Sequence, residues 1–271
     1  MEQEQILRAR IASLTELRGL FQALRALAAS RLQEALAALP GIRAYSDIVA
    51  EALADALALG GTGVRSTGRR AAMVVVCSEH GFAGGFNARL LDEAAARLRP
   101  GQDLIVIGKR GGVTAAERKL KPDLVLPTAT HIAGVGDAAH DVALALSGHA
   151  EAGVVFGRYR KGGGFDPAYR RVLPPDPPAP GGPRRAPPLV QLPAPALLAE
   201  LDREYLFAAL SQTLMESFAS ENAARLRVME AADRAIGDKL EALARAENDL
   251  RQETITAELL DVVTGWDAVT R

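Results

Sequence analysis

The last third of the chain carries a long helical pattern that limits what the protein can fold into. No proline follows Pro195, and apolar side chains recur at helical spacing as far as Val263. Seven apolar residues share one stripe, four of them spaced by seven: Met229, Ile236, Leu243 and Leu250, with Leu226, Leu240 and Leu259 beside them. That period is typical of left-handed coiled-coil packing. Because one helix cannot bury such a stripe alone, the pattern predicts a partner helix.

A second long helical pattern occupies residues 3–59, and only the pair Pro40-Gly41 interrupts it, as a predicted local breaker. Its apolar residues recur at intervals of three and four: Leu7, Ile11, Leu14, Phe21, Leu24, Leu27, Leu32, Leu36 and Leu39. The two terminal helices are each far longer than the globular mean. We therefore predict that they pair antiparallel, with the intervening chain inserted between them.

The intervening chain alternates short apolar runs with helical stretches, which predicts a small parallel α/β domain of Rossmann-like character. The apolar runs suit buried parallel strands, and a further run suits an edge strand. The predicted strands are 71–77, 103–108, 123–127 and 152–159, with an edge strand at 168–174. The predicted helices are 87–99, 111–120 and 137–150.

The predicted fold class is α/β plus long helices, an antiparallel coiled coil with an inserted α/β domain. We place the N-terminal coiled-coil helix at 1–63, the α/β domain at 64–195 and the C-terminal coiled-coil helix at 196–271. The α/β domain ends in a proline-rich loop at 174–195, which holds ten of the fifteen prolines. Such a segment cannot form a helix or a central strand.

Composition excludes several classes of protein. The net charge is −1 with acidic and basic residues interleaved, so no strong electrostatic case for nucleic acid follows. The single cysteine, Cys77, excludes an internal disulfide. No apolar run reaches the roughly 20 residues that span a bilayer. We expect a cytosolic protein or one peripheral to a membrane complex.

The stretch CSEHGFAGGFN, Cys77–Asn87, places three glycines directly after a predicted strand, where phosphate-binding loops occur. A Walker loop requires Lys followed by Ser or Thr. This pair is absent here and in the second glycine-rich run, IGKRGG at 107–112, and both lack the dinucleotide fingerprint. We therefore expect no bound nucleotide or other cofactor, and predict a tight strand-to-helix turn that requires glycine conformations.

The remaining chemistry-bearing residues give no catalytic pattern. Cys77 is predicted to belong to the core, because no histidine stands in obvious register with it. The four histidines lack the i, i+4 spacing of metal ligands. Three of them, His131, His140 and His149, are predicted at the surface or in turns.

One polar cluster near the C-terminus leaves two interpretations open. Arg251, Gln252, Thr256 and Glu258 fall within two helical turns. They are either an ordinary exposed helix face or a donor-rich surface that grips the loops of a partner.

Residues 217–269 resemble the C-terminal helix of the gamma subunit of F-type ATP synthases. The matching positions are Ser220, Glu221, Arg225, Met229, Ala232, Arg251, Gln252, Ile255, Thr256, Glu258, Leu259, Val263 and Gly265. The stretch SEHGFAGGFN is similar to that family's S-D-R-G-L-C-G-G-L-N, and RIASL with LFQALRALAASRLQEA is similar to its N-terminal helix. Further similarity at 154–160 and 195–206 extends the resemblance over essentially the whole chain.

The resemblance implies a non-catalytic rotor, the central stalk that transmits torque between a membrane c-ring and a ring of alpha and beta subunits, with epsilon at its foot. It implies that Arg225, Arg251, Gln252, Thr256 and Glu258 contact the stator. It also implies that the turn with Glu79, His80, Gly84 and Gly85 faces a beta subunit. The implied location is the cytoplasmic side of a bacterial inner membrane, as a peripheral protein, with no catalytic residue, metal, cofactor, nucleic acid or direct nucleotide.

Departures from the family pattern indicate a divergent branch, such as the alternative, sodium-translocating type. The departures are Leu20, Phe21 and Leu24 in the N-terminal helix, Glu79-His80 in place of Asp-Arg, and Ala83 in place of cysteine. Two other functions remain as alternatives. A Rossmann-like enzyme would bind nucleotide as an isolated chain, and a coiled-coil adaptor would not co-purify with alpha and beta subunits.

Overall fold

The computed structural model describes residues 2–58, 70–162, 164–176 and 189–269. The predicted domain boundary near residue 63 and most of the predicted proline-rich loop therefore lie outside the described residues. The chain divides into two compact units. The first comprises Met1–Leu27 with Leu226–Arg271, and the second comprises Ala28–Arg225.

Two long helices run through both units, α1 at Glu2–Ala58 and α5 at Ala194–Val269. In the first unit, Arg8 Nε donates to Glu247 Oε1 at 2.8 Å, and Arg18 Nε donates to Asp233 Oδ1 at 2.9 Å. As the residue number rises on α1, that of its partner falls on α5. The predicted antiparallel pairing of the terminal helices is therefore confirmed.

The predicted apolar stripe of α5 is confirmed only as far as α1 reaches. Met229 and Leu243 are buried in the described chain, but Leu259 is 62% exposed, so its predicted place in the stripe is wrong. Arg8 of α1 lies opposite Glu247 of α5, and α1 begins at Glu2, so its N-terminal end does not reach Leu259. On α1 the prediction for Leu27 is also wrong, because Leu27 is exposed and its neighbour Ala28 is buried.

Helix α1 continues through Pro40, so the predicted break at Pro40-Gly41 is wrong. Proline removes one helical hydrogen bond and crowds the preceding turn, at a cost of roughly 3 kcal/mol. Tertiary contacts on both sides offset that cost. Leu39 is buried, and Arg43 Nε donates to the buried carboxylate of Glu216 at 2.9 Å.

The second unit contains a five-stranded sheet of order β3-β2-β1-β4-β5. Its strands are β1 (Arg70–Val76), β2 (Asp103–Ile107), β3 (Leu124–Leu126), β4 (His149–Arg160) and β5 (Gly164–Leu173). The first four are parallel and β5 is antiparallel to β4, so the predicted parallel domain with an added edge strand is confirmed. The shorter helices are α2 (Phe86–Arg97), α3 (Lys109–Glu117) and α4 (Val135–Ala145), with a 3-10 turn at Ile132–Gly134.

The core of this unit lies between the sheet and its helices. Val74 and Val75 of β1 are fully buried, as strands covered on both faces require. Phe86 of α2 packs edge-to-face on Phe165 of β5, with ring centroids 4.9 Å apart.

His131 and His140 are exposed as predicted, but the prediction for His149 is wrong because its side chain is buried at the start of β4. Its Nε2 lies 3.0 Å from Oδ2 of Asp103, the first residue of β2, so a carboxylate at the same end of the sheet accounts for a polar side chain there.

Within the second unit, Glu216 of α5 joins three elements. One carboxylate oxygen accepts from Arg43 of α1, and the other accepts the backbone N–H of Tyr159 in β4 at 3.2 Å. Residues 28–58 and 194–225 of the long helices are thereby tied to the sheet.

Candidate functional site

The glycine-rich turn between β1 and α2 is held by its own polar side chains. Asn87 Oδ1 accepts the backbone N–H of Ser78 at 2.8 Å, and Asn87 Nδ2 donates to Ser78 Oγ at 2.9 Å. Both residues are buried. The backbone N–H of Ser78 is therefore satisfied within the protein, whereas a phosphate-binding loop directs such donors at its ligand.

Only part of the predicted need for glycine in this turn is confirmed. Gly84 has a φ of 58°, in the left-handed region that favours glycine, but Gly85 has an ordinary φ of −78°. The second left-handed residue is Phe82, with a φ of 62° and 60% of its side chain exposed. A bulky residue in this conformation is uncommon and costs roughly 1–2 kcal/mol, so the surrounding contacts must hold the turn in place.

Glu79, predicted to face a partner, directs its carboxylate into the chain. Its Oε2 accepts the backbone N–H groups of Lys109 and Thr128, each at 3.1 Å. The side chain is only 10% exposed. The outward face of the turn is formed instead by His80, Phe82, Gly84 and Gly85, all exposed.

The guanidinium group of Arg225 in α5 donates hydrogen bonds to the backbone of the turn. Its Nε donates to the carbonyl oxygen of Gly81 at 3.3 Å, and its Nη2 donates to that of His80 at 3.4 Å. The same Nη2 lies 2.6 Å from Glu221 Oε1, and both side chains of this ion pair are more than nine-tenths buried. In the structure Arg225 contacts the turn directly. The resemblance had assigned Arg225 to the stator contacts and the turn to a separate contact with a beta subunit.

Burial dominates the electrostatics beneath the turn. It raises the pKa of the Glu221 carboxyl, and Arg225 opposes that rise by its charge and its hydrogen bond. Burial, followed by the charge of Glu221, also raises the pKa of the Cys77 thiol far above its usual range. Cys77 is thus a core residue, as predicted, and its thiol is not activated as a nucleophile.

Two serines of α5 dock the helix on the carboxyl ends of the strands. Ser217 Oγ donates to the carbonyl oxygen of Val76 in β1 at 3.0 Å, and Ser220 Oγ donates to that of Gly157 in β4 at 2.8 Å. Gly157 permits this approach, since an added Cβ would lie 2.9 Å from the Cβ of Ser220. In open α/β sheets this edge is where ligands usually bind, and here a helix of the same chain occupies it.

The four predicted contact residues near the C-terminus are all exposed in the first unit: Arg251, Gln252, Thr256 and Glu258. The Thr256 hydroxyl donates to the carbonyl oxygen of Gln252 at 2.8 Å, within the helix. Nearby apolar side chains are exposed as well, with Leu260 at 59% and Trp266 at 72%. This mixture of donors and apolar groups favours a surface that meets a partner.

Sequence reasoning missed Phe82 as the exposed side chain of the turn and Glu216 as the tie between three elements. An aromatic residue within a glycine-rich turn is a signal that could have indicated Phe82. No sequence signal could have identified Glu216, because its partners on α1 and β4 are distant in the chain.

The residues that the structure describes include no group of three or more His, Cys, Asp or Glu side chains placed to hold a metal ion. Nor does any described helix contain an apolar stretch long enough to cross a bilayer. The protein therefore belongs to a class in which an α/β domain is inserted between two antiparallel helices. The sheet edge where ligands usually bind is covered by one of these helices.

The ATP synthase family profile matches residues 3–269. The chain belongs to this family, and the curated relatives that it matches are gamma chains. It is 30% identical to the ATP synthase gamma chain of a Parafrankia species, over 97% of this chain and 96% of the relative. It is 28% identical to that of Pelotomaculum thermopropionicum, over 97% and 98% of the two chains.

A solved structure has the same fold. A chain of the Euglena gracilis mitochondrial ATP synthase, in an assembly of OSCP, F1 and c-ring, matches with a TM-score of 0.70 at 14% identity. The match covers 99% of this chain and 95% of that one. The resemblance predicted from the motifs is thereby confirmed at the level of family and fold.

Proposed function

We propose that this chain is the central-stalk rotor of an F-type ATP synthase and carries torque between a membrane c-ring and a ring of alpha and beta subunits. The observation that carries the proposal is the family match along residues 3–269. The same role makes it a non-catalytic subunit, peripheral to the membrane on the cytoplasmic side in a bacterium, with epsilon as a neighbour at its foot.

The antiparallel helix pair supports a torque-bearing role. A single helix twists easily, whereas two helices joined across their seam resist rotation of one against the other. Asp233 of α5 accepts from both Arg18 Nε and Gln22 Nε2 of α1, at 2.9 and 3.1 Å, and lies 3.6 Å from Arg25. One carboxylate thus joins three side chains along nearly two turns of α1.

An axle turning inside a ring needs few strong contacts, placed where the stator must sense its angle. The exposed donors Arg251 and Gln252 fit that requirement, because a guanidinium can make forked, charge-assisted bonds to a carboxylate. Their position on only one side of the helix presents a different surface to each beta subunit as the shaft turns. Such an asymmetric surface can bias three equivalent sites toward different states.

Replacing Arg251 and Gln252 together with alanine is expected to weaken torque coupling without unfolding the chain. Each hydrogen bond to a charged group contributes roughly 1.5–3 kcal/mol, so we expect about a tenfold fall in ATP-driven ion pumping. The measurement is pumping and ATPase rate in the assembled complex. The matched control is Arg245→Ala with Asn248→Ala, two exposed residues of the same helix. Equal pumping by both double variants would contradict the proposed grip.

Replacing Phe82 with glycine is expected to weaken assembly with alpha and beta subunits while leaving the isolated chain folded. Glycine adopts the left-handed conformation freely, so the backbone cost of Phe82 disappears. The readouts are the dissociation constant for the alpha-beta ring and the urea midpoint of the full chain. The control Val113→Ala removes another exposed apolar side chain from the same unit. Unchanged assembly would remove the turn from the interface.

A further inference from the structure

A cavity of about 540 Å³ lies at the edge of the sheet where the parallel strands begin, within the second unit. This edge is opposite to the one that α5 covers. Its wall includes Arg99 and Gln102 from the loop before β2, Glu151 near the start of β4 and Arg171 near the end of β5. The volume falls in the range of small-molecule sites, roughly 300–1,000 Å³.

Three guanidinium groups, those of Arg97, Arg99 and Arg171, and one carboxylate, that of Glu151, line this cavity. Each arginine has one carboxylate partner: Arg97 Nε is 2.6 Å from Glu93, Arg99 Nη2 is 2.7 Å from Glu151, and Arg171 Nη2 is 2.9 Å from Asp176. Even a forked pair with a carboxylate uses only two of the five N–H donors of a guanidinium. Donors therefore remain on all three walls.

The walls are positioned by packing. The ring of Tyr169 lies against Gly153 of β4, where an added Cβ would overlap the ring. The Arg97 guanidinium stacks over the same ring, 5.0 Å from its centroid. Gln102 fixes the loop, since its Nε2 donates to the carbonyl oxygen of Ala72 at 3.0 Å and its Oε1 accepts the Arg99 backbone N–H at 3.2 Å.

A second concavity of about 250 Å³ adjoins the first. It shares Arg99 and Glu151 with the cavity and adds Arg70. Two adjoining spaces with a shared arginine suit a ligand with two linked anionic groups better than a single compact ion.

We infer that this cavity binds a phosphate-bearing anion, with Arg97, Arg99 and Arg171 as its ligands. A carboxylate has two oxygens and one charge and can occupy one guanidinium fork, whereas a phosphate group carries up to two charges and three or four acceptor oxygens. A single phosphate group therefore has enough acceptor oxygens for guanidinium groups on three walls at once. Glu151 then acts as the internal competitor that the anion displaces from Arg99.

The test measures inorganic pyrophosphate binding to the full chain by calorimetry. We expect a dissociation constant below about 1 mM. The double variant Arg99→Gln with Arg171→Gln should weaken binding at least tenfold. Glu151→Gln should strengthen it severalfold, because the competing carboxylate is gone. The matched control, Arg203→Gln with Arg245→Gln, removes two exposed arginines outside the cavity and should leave binding unchanged.

Further arms identify the source of the phosphate. ADP tests a soluble ligand, and vesicles of phosphatidylcholine with phosphatidic acid test a lipid headgroup; loss of either binding in the Arg99/Arg171 variant supports the site. No binding of pyrophosphate, ADP or vesicles would overturn the inference. Equal weakening in variant and control would also overturn it, since binding would then be non-specific. Tighter binding of polyglutamate than of pyrophosphate would overturn it in favour of an acidic protein segment.

Discussion

Replacing Arg225 with alanine is expected to lower the free energy of unfolding of the chain by about 3–5 kcal/mol, the usual cost of removing one partner from a buried ion pair. The variant leaves Glu221 buried without its cation. It also removes the donors to the carbonyl oxygens of His80 and Gly81. Urea denaturation of the full chain measures the effect.

The loss is expected to depend on pH. Burial already raises the pKa of Glu221, and Arg225 opposes that rise, so its removal should raise the pKa further. A carboxyl with a raised pKa in the folded state binds its proton more tightly there than in the unfolded chain. The free energy of unfolding of the Arg225→Ala variant must then increase as the pH falls from 7 toward 5, and by more than that of the parent chain. The gap between Arg225→Ala and the parent chain should therefore narrow over that range.

Two further variants separate the buried pair from a general effect of losing an arginine. Arg227→Ala removes an exposed arginine two residues along α5 and should change stability by less than about 0.5 kcal/mol. Replacing both Glu221 and Arg225 with methionine should recover much of the loss, because no buried charge is then left unpaired. A loss below about 1 kcal/mol for Arg225→Ala would show that the pair does not hold the turn.

Replacing Gly111 with alanine is expected to destabilise the α/β domain by about 1–3 kcal/mol, the cost of overpacking a close contact. An added Cβ would overlap the Cβ of Cys77 and lie 2.9 Å from its Sγ, with Val106 Cγ1 at 3.2 Å. Helix α3 must therefore move away from β1. Gly108, three residues before Gly111, also has no room for a side chain. Its φ is 100°, and an added Cβ would lie 2.5 Å from the Ser78 carbonyl oxygen.

The matched control for Gly111→Ala is Gly136→Ala. Gly136 also lies in a helix of this unit, but an added Cβ there meets nothing within 4 Å. Since alanine favours helix over glycine, the control should stabilise the chain by about 0.5–1 kcal/mol. Removing the opposing Cβ with Cys77→Gly should relieve part of the Gly111→Ala defect. Thermal denaturation checks both signs; equal shifts for the two glycine sites would refute the close packing of α3 on β1.

These two predictions concern the same small region, the two glycine-rich turns at the carboxyl edge of the sheet. The first turn is fastened to α5 through Arg225, and the second is fastened to the first through Glu79, which accepts from Lys109. Each turn therefore depends on the other. In the proposed rotor, a load on the exposed face of the first turn would pass through Arg225 into the helix.

Most of the helices and strands could be predicted from the amino-acid sequence. Periodicity over tens of residues defined α1 and α5, and the seven-residue spacing of Met229, Ile236 and Leu243 correctly predicted a helical partner. Continuous apolar runs such as AAMVVVC predicted buried parallel strands, because a strand covered on both faces is apolar on both. These signals are local, and the break that they predicted at Pro40 was wrong because tertiary contacts offset the cost of the proline.

The directions of individual side chains depend on tertiary contacts and could not be predicted in this way. Glu79 is directed inward because Lys109 and Thr128, far along the chain, offer it backbone N–H groups. The side chain of Phe82 is exposed because Arg225 holds the backbone of the turn on its inner side. Leu259 is exposed because the N-terminal end of α1 does not reach it. Each outcome depends on a particular residue distant in sequence, and the spacing of residues within one segment does not identify that residue.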